Sequence, residues 1–508
     1  MLDGSGSGKS ASYVIPNACQ LLGSYVFTDP KGELYDKTAG YLKEKGYKIK
    51  VLNLVRPQKS DGYNPLIHIR NEIDVDVIAN TIVKGQGESL KSSDPYWDDM
   101  AEMLLKALIY YLISARPPEE QNLASCAELV RAANNNGGEN LLTSLMNQLP
   151  FDHPARMNYK SIEIAPEKTY GSILSSLQSK LGKFDSKEIA ELTSTNTINF
   201  EDIGREKTAV YVISSDTHAA YDFLLTIFFS QMIQQLYDFA DESGGALPMP
   251  TFFILDEFAN IGKIPDFDKK ISTSRSRKIS FSVILQNLDQ LEAVYKEQHE
   301  TIMGNCDTHV FLGSNSQKTV EYFSKALGEK TILRESESIN KDRNDWKQGK
   351  SVSDQVMGRA LLTPDELRRL DVDQCIIYEK GLKPIKAMKY YYYKYPTEKL
   401  IKPFAVDHNT REDVDRGTWR KYNPYNPYEA NEEKKEKTKI EQLDDLFSDI
   451  DTQDNKTENK TTDNALELPL EPQIEEEKKE EQQEVTDIQK ELEAKFDELF
   501  GSLNDTTN

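Results

Sequence analysis

Residues 4–10 read Gly-Ser-Gly-Ser-Gly-Lys-Ser. Three glycines let a backbone turn tightly with successive N–H groups pointing inward, and a helix starting just beyond adds a dipole that favours an anion. The chemistry this suits is the cradling of nucleotide phosphates by Gly4, Ser5, Gly6, Ser7, Gly8, Lys9, Ser10 and Ala11. Lys9 would reach the β and γ phosphates, and Ser10 would hold magnesium. The full pattern carries a glycine at position 3, where this chain has Asp3. A carboxylate facing the phosphates at about 4 Å would cost roughly 1–4 kcal/mol, depending on the local dielectric. The second half of such a site is a strand that ends in acids, and Phe252-Phe253-Ile254-Leu255-Asp256-Glu257 supplies one. Asp256 would hold Mg2+ through water, and Glu257 would polarise the attacking water.

Two further groups fall where a nucleotide hydrolase needs them. Gln286 ends the apolar run 281–285 and suits a polar sensor of the γ-phosphate or the attacking water. Arg275 and Arg277 precede that run; an arginine reaching the phosphates of a neighbouring subunit would stabilise transition-state charge. An ordinary surface arginine is the competing reading for each.

These residues need a scaffold. Residues 10–22 read as helix with a break at Pro16, 25–28 as strand, 32–45 as helix and 48–54 as strand, a rhythm that predicts parallel strands with helices on both faces. From about 70 to 200 the pattern is helical. Asp94 and Pro95 form an N-cap and first-turn pair, Met100, Leu104, Leu105, Leu108 and Leu112 share one face, and loops are expected at 116–121 and 134–139. Strands return at 208–213, 252–255, 280–285, 309–312 and 375–378, with a helix over 218–240. The expected fold class is α/β: a mostly parallel sheet over 1–70 and 200–400, split around an all-helical domain at 71–199. A phosphate loop normally follows a buried strand, but only three residues precede this one, so that strand is expected to be missing.

Charge is uneven. Residues 441–508 hold 22 acidic against 6 basic side chains, so they account for −16 of the chain's −22 and leave −6 for the first 440 residues. The order signal fades past residue 400, and with the Asn-Pro-Tyr repeats at 423–428 and the Glu/Lys/Gln/Asn/Thr bias after 430 the segment 401–508 reads as a largely disordered acidic tail. Two amphipathic stretches, 440–450 and 488–503, are either transient helix or partner-docking helices. Overall charge argues neither for nor against nucleic-acid binding. Cys19, Cys126, Cys306 and Cys375 form no CxxC pair and no HExxH is present, so neither a disulfide framework nor a protein-caged metal is expected. The longest apolar stretch, about 104–113, falls short of the ~20 residues of a membrane span, and the chain reads as soluble and cytoplasmic.

The chain resembles the type IV coupling proteins, the TraG-like ATPases of conjugation and type IV secretion. The resemblance covers about residues 3–400. It rests on the 4–10 loop, Thr28-Asp29-Pro30-Lys31-Gly32-Glu33, Tyr63-Asn64-Pro65, Pro95-Tyr96-Trp97-Asp98, Leu255-Asp256-Glu257-Phe258 and the Gln286 segment, all in the family's order. It implies a RecA-like fold, a homo-hexamer, hydrolysis of ATP with Mg2+, and delivery of relaxase-bound single-stranded DNA to secretion-channel proteins at the cytoplasmic face of the membrane. It also favours Arg275 as the arginine acting on a neighbour. Family members usually carry membrane helices before the loop, so the chain is expected to be either a fragment whose membrane contact lies elsewhere or a degenerate relative. A non-catalytic recruitment module and a double-stranded DNA translocase are the alternative readings.

Overall fold

The computed structural model describes residues 1–3, 8–85, 94–133, 140–215, 221–340 and 349–422. Among them are eleven strands: β1 (Leu2–Asp3), β2 (Ser24–Thr28), β3 (Lys48–Asn53), β4 (Thr208–Ile213), β5 (Thr251–Leu255), β6 (Ile279–Val283), β7 (Thr308–Gly313), β8 (Glu329–Asn340), β9 (Gly349–Ala360), β10 (Gln374–Glu379) and β11 (Ile385–Met388). Five of them form an all-parallel sheet in the order β3-β4-β2-β5-β6. β2 and β4 are buried along their whole length. Interior parallel strands covered on both faces read as continuous apolar runs, which is why they were visible in the sequence.

The strand expected to be missing before the phosphate loop is present in short form. β1 runs parallel to β7 with Leu2 opposite Phe311, and on its other side Leu2 bridges Leu285, two residues past β6. The Met1 amino group donates to the Val283 carbonyl at 2.7 Å, and the Leu285 N–H donates to the Met1 carbonyl at 3.0 Å. Two residues suffice because both edges of β1 meet partners that other elements hold in place. The sheet thereby continues through β6, β1 and β7 to β10 and β11, with β10 antiparallel to both β7 and β11. β8 and β9 form a separate antiparallel hairpin that the sequence did not announce, because its polar residues break any apolar alternation.

One face of the sheet is covered by the segments that flank the loop. A wide first turn at Ser10–Val14 leads into a helix over Ile15–Ala18, and Pro16, which has no N–H to donate, sits where the turn relaxes to α geometry. The chain leaves the helix at Cys19, short of the expected 22. Val14 and Ile15 pack with Leu34 and Leu42 of the Glu33–Glu44 helix against Tyr25, Phe27, Ile254 and Ile284. The opposite face carries the Asp222–Glu242 helix, buried nearly all round. Between β3 and β4 the described elements are helical, from Glu72–Lys84 through Pro95–Ala115 to Phe200–Arg205, and their apolar faces join the same core as that long helix. Asp94 caps the Pro95–Ala115 helix by accepting the Tyr96 N–H at 3.0 Å. The expected loop at 116–121 holds a short turn at Pro118–Glu120 with Glu120 buried; the one at 134–139 lies outside the described residues. No helix among the described residues is long and apolar enough to cross a membrane.

Residues 402–422 correct the expected start of the tail. They run back across the body as a strap. His408 Nδ1 lies 2.9 Å from Asp36 Oδ1, Arg411 pairs with Asp61 at 2.8 Å, Arg416 with Glu191 at 2.9 Å and Arg420 with Glu120 at 2.6 Å. Tyr422 is buried, with its hydroxyl 3.3 Å from that of Tyr111 and the Arg116 guanidinium 4.0 Å from its ring centre. The partners are remote in sequence, so composition alone made the segment look unstructured. The remainder, 423–508, with its acidic run and both amphipathic stretches, lies outside the described residues.

Candidate nucleotide site

The parallel register sets the ends of β2, β5 and β6 at one edge of the sheet, with Thr28 opposite Leu255 and Leu255 opposite Val283. Asp256 is the first residue beyond β5 and is 6% exposed. Glu257 follows in a left-handed conformation, φ +52°, which a non-glycine residue adopts at a cost on the order of 1–3 kcal/mol. Its Oε2 accepts from Asn260 Nδ2 at 3.1 Å. The Thr28 hydroxyl donates to the Asp256 carbonyl at 2.7 Å and so ties β2 to the turn that carries both acids.

The described end of the glycine-rich segment, Gly8 and Lys9, lies at this edge. Gly8, with φ +83°, leads into Lys9, whose Nζ lies 2.9 Å from Asp256 Oδ1 and 3.2 Å from Glu257 Oε1. The three residues picked out for chemistry therefore meet, although 247 positions separate Lys9 from Asp256. Burial pushes the Asp256 carboxyl above the usual carboxylate range, and the Lys9 ammonium opposes that push. For Lys9 burial acts downward, but Asp256 and Glu257 together outweigh it and hold the ammonium charged. The Ser12 N–H donates to the Gly8 carbonyl at 2.8 Å, closing the turn that contains Ser10 and Ala11. Gly4, Ser5, Gly6, Ser7 and the Asp3 side chain, with its expected repulsion, lie outside the described residues.

Gln286 directly follows Leu285, the residue bridged to β1, so it sits at the same edge as the loop; its N–H donates to Gln290 Oε1 at 3.1 Å. Arg275 is not brought to the site within this chain. It lies in the turn Arg275–Arg277 before β6, exposed, at the opposite end of a strand that separates the two edges by roughly 20 Å. Arg277 is engaged locally, 2.9 Å from Asp241 and with its guanidinium 4.8 Å from the centre of the Tyr237 ring.

The Thr28–Glu33 turn carried the resemblance without a stated role, and the structure supplies one. Besides the Thr28 contact, Asp29 Oδ2 accepts the Tyr35 N–H at 2.8 Å at the start of the Glu33–Glu44 helix. Gly32 has φ +73° and lies under the strap; a Cβ there would fall 2.5 Å from His408 Nδ1. Asp29 is almost fully buried, and burial raises its pKa from 3.8 to about 6 against the Tyr35 and Leu34 N–H groups. Between those values the folded chain keeps a proton that the unfolded chain has released. The contribution of Asp29 to stability is thus complete below pH 3.8 and lost as pH rises through about 6. Asp29→Asn, which keeps an acceptor for Tyr35, should unfold at the parental temperature near pH 4 and at a higher one at pH 7.5. Thermal melts at the two pH values check this, and a gap that does not widen with pH would refute it.

Comparison with known proteins follows the same outline. The family model described as type IV secretory system conjugative DNA transfer matches residues 1–417. Protein VirD4 of Rhizobium radiobacter is 26% identical over 419 residues, covering 78% of this chain and 57% of that protein. A conjugal transfer protein TraG of Escherichia coli is 27% identical over 430 residues, covering 77% and 66%. The chain thus spans little more than half the length of the VirD4 relative. Among solved structures, the conjugative coupling protein TrwBdeltaN70 aligns with a TM-score of 0.55 at 16% identity over 76% of this chain and 82% of that one. TrwB in complex with ADP and Mg2+ aligns with the same score over 77% and 84%. At such identity the likeness concerns the fold alone, a RecA-like sheet with helices on both faces. Because the family match runs through the phosphate loop, the helical segment and the paired acids alike, the chain belongs to the type IV secretory system conjugative DNA transfer family, the coupling proteins.

Proposed function

We propose that this chain binds and hydrolyses ATP with Mg2+ as the motor of a conjugative coupling protein. The observation that supports this most is the meeting of Lys9 with Asp256 and Glu257 at the edge where β2, β5 and β6 end. A buried carboxylate whose counter-charge is a lysine fits a metal-nucleotide site, because Lys9 can turn to phosphate while a cation takes its place. Ser10 and Asp256 would hold that cation, and bound Mg2+ supplies neutralisation of phosphate charge. Lys9 then orients the β and γ phosphates, Glu257 takes the proton of the attacking water, and Gln286 fixes that water.

In a ring of identical subunits the exposed Arg275 of one chain would act on the phosphates of the next, and a hexamer is the assembly we propose. The substrate we propose is relaxase-bound single-stranded DNA passed to secretion-channel proteins at the cytoplasmic face of the membrane. The helical residues 71–199 form the second domain in this reading, beside the nucleotide domain of 1–70 and 200–400. The recruitment-only alternative drew on a missing loop strand and on Asp3 in place of a glycine; Leu2–Asp3 occupy the strand's slot, and the Asp3 side chain lies outside the described residues.

The test is steady-state hydrolysis at fixed salt, because phosphate contacts are salt-dependent, with single- or double-stranded DNA present. We expect single-stranded DNA to stimulate more strongly, and Lys9→Ala to lower turnover by at least about a hundredfold. Parental turnover no higher than that of Lys9→Ala would leave the recruitment reading, and stronger stimulation by duplex would favour the translocase reading.

A further inference from the structure

Residues 389–395 read Lys-Tyr-Tyr-Tyr-Tyr-Lys-Tyr, a run that takes no part in the proposed mechanism. Tyr391 is buried against the phosphate loop: a Cβ on Gly8 would lie 2.8 Å from its Cε1. Its hydroxyl donates to the Val372 carbonyl at 3.3 Å, and the Lys394 ammonium, itself paired with Asp373 at 3.3 Å, lies 4.7 Å from its ring centre. The ring touching Gly8 is thus held from several sides. Tyr393 is layered on it, ring centres 5.4 Å apart and planes 29° from parallel, and meets Tyr392 edge-on at 5.5 Å. Tyr393 nevertheless remains 48% exposed. The other two exposed tyrosines of the run stack on each other, Tyr390 on Tyr395 at 3.9 Å and 10°.

We propose that Tyr393, positioned by Tyr391, is the stacking platform for the base of the bound nucleotide. The inference rests on the nucleotide reading above and adds the base subsite to it. A nucleoside whose phosphates occupy the loop must leave it along a neighbouring surface, and the aromatic layer next to Gly8 presents a flat ring with an open flank. Stacking uses the π-face that every base has, so the subsite adds affinity with little discrimination between adenine and guanine.

The experiment measures equilibrium binding of ATP, GTP and inorganic tripolyphosphate to the full chain and to Tyr393→Ala, Tyr393→Trp and Lys9→Ala. Tyr393→Ala should weaken ATP and GTP alike by roughly tenfold, within the range for loss of one base-stacking ring, and leave tripolyphosphate unchanged. Tyr393→Trp should restore both nucleotides. Parental ATP affinity in Tyr393→Ala, with Lys9→Ala weakened for every probe, overturns the platform and leaves the phosphate site standing. Equal loss of tripolyphosphate in Tyr393→Ala also overturns it, since the residue would then shape the loop. A parent chain that binds none of the three, or a Lys9→Ala chain that binds all as the parent does, overturns the nucleotide reading and the platform with it.

Discussion

Replacing Glu257 by glutamine should lower ATP turnover by roughly two to four orders of magnitude while ATP binding stays within a few-fold of the parent. The expectation comes from what the side chain touches. Glu257 Oε1 faces Lys9 at 3.2 Å, Oε2 accepts from Asn260 at 3.1 Å, and the residue is held in a left-handed backbone turn immediately past β5. A glutamine has the same length and an oxygen that can still accept from Asn260 or Lys9, so the turn and the phosphate loop should be preserved. What it cannot do is take a proton from water. Single-turnover hydrolysis together with equilibrium ATP binding separates the two effects. Near-parental hydrolysis in the glutamine variant would remove Glu257 from the role of base, and equal losses of binding and turnover would make it a binding residue.

The contrast with Asp256 sharpens this. Asp256 is the more deeply buried of the pair, its carboxyl is pushed upward by burial, and Lys9 at 2.9 Å is the charge opposing that push. Removing its charge would disturb how Lys9 is held, so a variant there would combine any loss at the proposed metal site with a displaced lysine. Glu257 offers the cleaner separation of chemistry from binding.

Lys9, Asp256 and Glu257 were legible in the sequence because each sits at the end of a local signal: a glycine-rich loop entering a helix, and an apolar strand ending in acids. The central strands β2, β4 and β5 were legible for a related reason, their unbroken apolar runs. β1 was not, because two residues carry no periodicity and its pairing depends on Leu285 and Phe311, far along the chain. The strap was illegible for the same physical reason. Arg411, Arg416 and Arg420 look like solvated charge until Asp61, Glu191 and Glu120 are brought beneath them. Thr28 and Asp29 form an intermediate case. The turn could be recognised, yet its work, anchoring Asp256 and capping a helix, becomes visible only when β2 lies beside β5. Arg275 marks the opposite limit, since its place before β6 makes its proposed chemistry a property of two chains rather than one.

The largest effect on stability is expected at Tyr63, where Tyr63→Ala should cost roughly 3–5 kcal/mol and Tyr63→Phe about 1–3 kcal/mol. Tyr63 is fully buried, and its ring meets Phe228 edge-on at 4.8 Å and lies 6.0 Å from Phe200. The hydroxyl donates to Gln231 Oε1 at 2.6 Å, inside the long Asp222–Glu242 helix. Gln231 Nε2 in turn donates to the Pro65 carbonyl at 3.0 Å, and Asn64 Nδ2 donates to the Gln121 carbonyl at 2.8 Å. The Tyr63 N–H donates to the Leu192 carbonyl at 3.0 Å. The tripeptide 63–65 therefore ties the chain leaving β3 both to the helix under the sheet and to the helical segment that follows. Phenylalanine keeps the ring contacts and leaves a buried amide oxygen short of a donor; alanine also opens a cavity among Phe200, Phe228 and His68. Because those neighbours belong to one continuous core, the loss should appear in the main unfolding transition rather than as melting of the helical segment alone. Urea unfolding followed by both far-ultraviolet dichroism and tyrosine fluorescence measures it. An alanine variant within 1 kcal/mol of the parent, or two probes that separate only in the variant, would mean that the tripeptide connects the two parts without holding them together.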